Sequence, residues 1–80
     1  MATLMRSLDS LKPGESGNVR GFTQEDAIAH RLMQMGFIEG ETIDVIRRAP
    51  AGDPIEVKIL GYSLSLRSSE AQTILIELVE

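Results

Sequence analysis

Eighty residues confine this chain to one domain with a small core, since at that size only about 60% of the unfolded surface can be buried, and no room remains for a catalytic cleft beside a separate binding domain. Charged residues at 25% and hydrophobic residues at 42% exclude disorder, the absence of cysteine excludes disulfides and thiolate metal sites, and a net charge of −4 argues against affinity built on phosphate contacts, so no nucleic-acid partner is expected. The start Met-Ala-Thr-Leu-Met-Arg-Ser-Leu lacks an apolar leader and nothing approaches the ~20 apolar residues of a membrane span, so the expected location is cytoplasmic without membrane insertion.

Residues 1–13 read as a lead-in packed on the rest of a single domain covering 1–80. Leu4, Leu8 and Leu11 serve as lid residues, with one short helical turn over 7–11 that Pro13-Gly14 breaks. In 15–22, Val19 and Phe22 lie among Gly17 and Gly21, which predicts a first strand that is bent or bulged. Thr23 is placed to cap a helix starting near Gln24, with Gln24, Glu25 and Asp26 in its first turn, where acidic groups suit the helix dipole. Ile28, Leu32 and Met35 recur at i, i+4, i+7 and predict its buried face. Gly36 closes the helix, and Gly40 marks a second turn.

Past Gly40 the period changes to two. In 42–48, Ile43 and Val45 point to one side, and Thr42, Asp44, Ile46 and Arg48 to the other. Ala49-Pro50-Ala51-Gly52-Asp53-Pro54 is a turn cluster. Ile55, Val57 and Ile59 then alternate with polar neighbours, Gly61 gives a tight connection, and Tyr62, Leu64 and Leu66 form the return strand of a hairpin with one apolar face. Ser68 or Ser69 caps a single helical turn over Glu70, Ala71 and Gln72, and 73–79 forms a last strand with Ile74, Ile76 and Leu78 inward. The fold class is therefore mainly β: a small SH3-like barrel of about five strands, with one α-helix after strand 1 and a short helical turn before the last strand. Curling into a barrel is how so short a β chain removes its exposed edges.

No reactive constellation emerges. His30 is the only histidine and sits four residues after Asp26, a surface pair rather than a metal site, which would need three or four ligands. Glu39, Glu41 and Asp44 read as a solvated acidic rim, and Arg47, Arg48, Lys58 and Arg67 as scattered charges with the option of a local basic patch. No nucleophile sits beside a base and no Gly-rich loop carries the Lys-Ser/Thr of a phosphate site, so the chain is expected not to be an enzyme and to have no cofactor. What remains is surface. Met33 lies off the buried helical face, and Phe37 and Ile38 occupy a turn, where exposed apolar side chains mark a contact site. Ile46, Leu60 and Leu75 also face away from the main apolar side of their strands.

Arg31-Leu32-x-x-Met35-Gly36-Phe37-x-x-Gly40-x-x-Ile43-x-Val45, Ala49-Pro50-x-Gly52-Asp53-Pro54, Gly61, and Leu64-x-Leu66-Arg67-x-x-Glu70-Ala71, with Leu11-Lys12-Pro13-Gly14-Glu15-x-Gly17 before them, together resemble the FeoA domain from about Leu8 to Val79. That resemblance implies an SH3-like barrel and a small cytosolic accessory protein of ferrous iron uptake that binds and modulates the membrane transporter FeoB through its cytosolic GTPase region. The alternative it implies is an iron-sensing module, related to the C-terminal domain of iron-dependent repressors, that binds metal directly. The motif glycines and prolines are accounted for by turn geometry, and Arg67 and Glu70 by a local ion pair. Partner contact is therefore assigned to Leu32, Met33 and Phe37 at the helix end, and the oligomeric state is left open.

Overall fold

In the computed structural model, which describes residues 5–78, the lead-in itself joins the sheet. Strand β1 (Met5–Ser7) pairs antiparallel with the last strand, β6 (Ile74–Leu78), and a 3-10 turn (Leu8–Ser10) follows it. The other strands are β2 (Ser16–Phe22), β3 (Thr42–Arg48), β4 (Ile55–Ile59) and β5 (Tyr62–Leu66), and all six lie in one antiparallel sheet of order β1-β6-β2-β3-β4-β5. Helix α1 (Ala27–Gln34) follows β2, and the short α2 (Ser68–Ala71) precedes β6. The additional strand escapes a periodicity reading because three residues are too few to show a period. Leu8 and Leu11 are buried as the lid reading requires, whereas Leu4 and Val79 lie outside the described residues.

Two bulges bend the sheet. Between β2 and β6 the register passes from Val19↔Ile76 to Gly21↔Leu75, leaving Arg20 as the extra residue. One extra residue reverses the parity, so Phe22 lies opposite buried Ile74 and packs on the core although it is an odd number of positions from Val19. Between β3 and β4, Val45↔Val57 is followed by Arg47↔Glu56, and Ile46 is the extra residue, 38% exposed. This corrects the expected orientation of Arg48. The bulge turns it to the side of buried Ile55, where its guanidinium donates to Asp9 Oδ1 at 3.1 Å, to the Leu11 carbonyl at 3.3 Å and to the Gly52 carbonyl at 3.3 Å. The Ser68 hydroxyl donates to the same Asp9 oxygen at 2.9 Å. A single half-buried ion pair thus fastens the 3-10 turn, the 49–54 turn and α2 to one another.

The helix starts later and faces differently than its periodicity suggests. Asp26 is the N-cap, its Oδ1 accepting from the Ala29 N–H at 3.0 Å, so it closes the helix start from outside the first turn. Ala29 and Leu32 are buried; Ile28 is 41% exposed and Met35 half-buried. A helix of eight residues presents only a narrow stripe to the core, here Ala29 and Leu32. At the other end, Gly36, with φ of +112°, donates to the Met33 carbonyl at 3.1 Å while the Phe37 N–H reaches back to the Leu32 carbonyl at 3.1 Å. This pair of bonds is the Schellman closure, which brings the residue after the glycine against the last helical turn. Phe37 is accordingly in the core with no exposed surface, among Leu32, Ile43 and Val45.

Hairpin β4–β5 turns through Leu60 and Gly61, with φ of 53° and 84°, the twist that suits a two-residue connection. Tyr62, expected inward, is 45% exposed because it sits at this tip, and its hydroxyl donates to the Met35 carbonyl at the end of α1. The start of α2 corrects another expectation. Arg67 is the N-cap residue, and the Glu70 carboxylate accepts from its backbone N–H at 3.0 Å, while the Glu70 ion pair is made with Arg31 of α1 instead of with the Arg67 side chain.

Gly17 is required by close approach. A Cβ there would overlap Ile76 Cγ2 and stand 3.0 Å from the Glu77 carbonyl oxygen, and both neighbours are held in the β2–β6 ladder. Gly17→Ala should therefore cost about 1–3 kcal/mol through overpacking, read as a lower urea midpoint with an unchanged slope. Asp9 has a pH signature. Burial alone would raise its carboxyl, but the Ser68 hydroxyl, Arg48 and Gln72 outweigh it and hold the group below the usual carboxylate value. The depressed folded value means that this contribution is fully present above pH ~4 and is lost as pH falls through the folded value. Asp9→Asn should lose about 1–2 kcal/mol at pH 7, and its deficit against the parent should narrow in urea titrations at pH 3.

Candidate functional site

The Schellman closure sends the chain from α1 across to β2, and the turn that follows is hydrogen-bonded to that strand. The Gly40 N–H donates to the Val19 carbonyl at 2.8 Å, and the Val19 N–H donates to the Glu41 carbonyl at 2.9 Å. Between the helix end, this turn and the bulged part of β2 lies an open groove of about 680 Å³. Met33 and Gln34 come from α1, Phe37, Ile38 and Glu39 from the turn, and Arg20, Gly21 and Phe22 from β2, with Glu25 at the helix approach.

The three residues assigned to partner contact separate here. Met33 is half-buried on the groove wall, as expected for a side chain off the buried face. Phe37 also borders the groove, but only as its floor, because it has no exposed surface. Leu32 is wholly within the core and does not reach the groove. The outward-facing apolar residue of the turn is Ile38, 55% exposed, and the half-buried Phe22 joins it. Ile38 was visible in the sequence as a turn residue after the helix-closing glycine; for Phe22 the glycines signalled a bulge, but not the extra residue that sets which way its side chain turns.

The rim is charged. Arg20 is paired with Glu77 at 3.0 Å, whereas Glu25 and Glu39 are exposed and have no cationic side chain within ion-pair distance among the described residues. The groove therefore offers an apolar floor with an acidic margin. A second groove, of about 630 Å³, runs between α1 and the β5–α2 segment, with Ile28, Met35 and Leu66 beside the Arg31–Glu70 pair and Arg67.

The basic patch is broken up by pairing: Arg47 meets Glu56 at 2.5 Å and Arg48 meets Asp9, leaving Lys58 and Arg67 without carboxylate partners among the described residues. His30 is exposed, and the Asp26 side chain is engaged as the helix cap. Asp44 accepts from the Ser16 hydroxyl. Among the described residues, no group of three or more His, Asp or Glu side chains gathers where it could hold a metal ion, and no helix is long and apolar enough to cross a membrane.

These features have close counterparts. The FeoA domain model matches residues 6–78. The Fe(2+) transport protein A/Fe(2+) transporter FeoB fusion protein of Porphyromonas gingivalis (strain ATCC BAA-308 / W83) is 33% identical over 72 residues, 90% of this chain and 8% of that protein, so the chain spans less than a tenth of that relative's length. The solution structure of a FeoA-like protein from Clostridium acetobutylicum superposes with a TM-score of 0.91 at 36% identity, covering 100% of this chain and 92% of that one. The crystal structure of Stenotrophomonas maltophilia FeoA complexed with zinc, described as a procaryotic SH3 domain protein, gives a TM-score of 0.77 at 31% identity over 89% of this chain and 88% of that one. A bulged antiparallel sheet closed by one helix, matched over nearly its whole length by sequence and by structure, makes this chain a member of the FeoA domain family, with that family's SH3-like fold.

Proposed function

We propose that the chain is a cytosolic accessory of ferrous iron uptake, without catalysis of its own, that docks on the cytosolic GTPase region of a FeoB-type membrane transporter and modulates it. The observation that carries this reading is a match of 33% identity, covering 90% of the chain, to a protein whose name joins transport protein A to transporter FeoB in one polypeptide. A covalent link of that kind raises the effective concentration of two partners to the millimolar range, which suits modules whose individual contacts are weak. The docking surface in this reading is the groove at the end of α1. Met33 and Ile38 make the apolar contact and Phe37 supplies its floor, while Leu32 acts from behind by holding the helix end in place. The exposed Glu25 and Glu39 favour a partner segment with apolar residues flanked by Lys or Arg. The alternative, direct metal sensing, draws on the zinc complex of the Stenotrophomonas maltophilia protein, and in this chain it would need a group of three or more ligands, which the described residues do not gather.

Titration calorimetry with the cytosolic region of a FeoB-type transporter tests the assignment. Met33→Asp and Ile38→Asp should each weaken binding about tenfold or more, equivalent to about 1.4 kcal/mol, with unchanged thermal midpoints. Phe37→Ala should instead lose about 3–5 kcal/mol of stability as a core deletion. Parent-like affinity in both aspartate variants would remove the groove from the proposal, and absence of binding by the parent chain would remove the partner.

A further inference from the structure

The sheet ends on one side in β1, three residues long, and on the other in β5, five residues long, and no described strand pairs with the outer edge of β5. The two-residue turn at Leu60–Gly61 determines which backbone groups that edge presents. Ile59 and Tyr62 flank the turn as a hydrogen-bonded pair, and alternation makes Val57↔Leu64 and Ile55↔Leu66 the next such pairs. Ser63 and Ser65 therefore direct both N–H and C=O outward. Both are exposed, and neither backbone makes a turn, loop or cap hydrogen bond elsewhere among the described residues.

Edge strands are ordinarily blunted by charge, proline, a bulge or extreme shortness. The sequence Tyr62-Ser63-Leu64-Ser65-Leu66 has none of these. We propose that two copies of this chain associate through β5, antiparallel about a two-fold axis at Leu64, continuing the sheet from one molecule into the next.

The strand is complementary to itself in that register. Ser63 falls opposite Ser65 of the second copy and Ser65 opposite its Ser63, so the outward groups of both serines pair in two closed rings of hydrogen bonds. On one face, Leu64 meets Leu64 of the other copy, and Tyr62 falls at the register position of Leu66, which is itself buried in its own core, so the apolar contact across the seam is made by half-buried Leu64 with exposed Tyr62 beside it. On the other face the charges are complementary. Lys58 is the neighbour of Ser63 and Glu56 the neighbour of Ser65 across β4–β5. Each row through the seam therefore runs from Lys58 across two small serines to Glu56 of the second copy. With strands about 4.8 Å apart, those ends are about 14 Å apart at Cα, a span that two long side chains nearly cover. Lys58 has no carboxylate partner in its own chain among the described residues, and Glu56 already holds Arg47. No like charges face each other along β5, although each copy carries a net charge of −4. Five residues a side place the contact at the small end of specific interfaces, so association belongs in the micromolar to millimolar range.

Sedimentation equilibrium of the full chain from roughly 10 µM to 1 mM, with amide exchange read by NMR, tests this. A monomer–dimer equilibrium is expected in that interval, with the Ser63 and Ser65 amides becoming protected as concentration rises. Ser65→Pro removes an outward donor without breaking a β4–β5 bond and should weaken association at least about tenfold with retained spectral dispersion. Ser65→Lys covers the case in which the proline variant fails to fold: the new lysine sits beside Glu56 of its own chain and is aimed toward Lys58 of the other copy. It should weaken association to a similar degree. A chain that stays monomeric at 1 mM would overturn the proposal, as would a dimer that survives both variants or protects amides elsewhere. A monomer that instead binds a heterologous strand along β5 would overturn it equally.

Discussion

One turn of chain carries the architecture: the closure of α1 through Gly36. The left-handed residue lets two backbone N–H groups reach back to the Leu32 and Met33 carbonyls, and in the same movement drives Phe37, the largest fully buried side chain, beneath the helix. In a domain this small a single aromatic is a large share of the core, so helix geometry and core filling are one event here rather than two. Tyr62 and Leu60 reach the same place from the β4–β5 tip. The Tyr62 hydroxyl caps the Met35 carbonyl, and the Leu60 side chain lies where a Cβ on residue 36 would come within 2.7 Å of its Cδ1. Glycine at 36 thus answers both a dihedral and a packing requirement.

Around that point, the two bulges give the sheet its shape and its polar fastening. Arg20 and Ile46 are extra residues on adjacent strands, β2 and β3, so the bend is concentrated in the middle of the sheet. Each bulge also re-aims a side chain: Phe22 toward the core and the groove, Arg48 toward Asp9. The second is the more consequential, because the Arg48 guanidinium supplies partners to carbonyls of two turns that would otherwise look only to water. Its position at the core margin, 24% exposed, avoids the heavy desolvation that a fully buried charge would incur.

Much of this was legible from residue patterns. The alternation of Ile43 with Val45, of Ile55, Val57 and Ile59, and of Ile74 with Ile76 marked inward faces that are buried in the structure. The turn at 49–54 and the glycines ending α1 fell where their chemistry places them. Features that depend on a partner strand were legible only in part: Gly17 and Gly21 marked β2 as bent or bulged, whereas nothing in 42–48 marks the second bulge, which is a mismatch in length between two strands that one strand alone does not record. Phe37 illustrates a subtler limit. Its place in a turn suggested exposure, yet the glycine one residue earlier carries the rule that sends it inward; reading Gly36 for conformation alone left that rule unused. Ile28 shows the reverse error, for regular spacing cannot say how wide a stripe a short helix has to bury.

The pairing of β1 with β6 sets Met5 beside Glu77, so the described chain enters and leaves the domain at neighbouring points of one sheet border. A unit with adjoining ends can be grafted onto a larger polypeptide, or set within it, with little disturbance to either architecture, because the host needs to open only a narrow gap. Such modularity accords with the presence of a similar stretch within a relative more than ten times as long. It also means that any pull exerted through those ends would load β1 and β6 first, leaving the helix-end groove on other elements undisturbed until the sheet border parts.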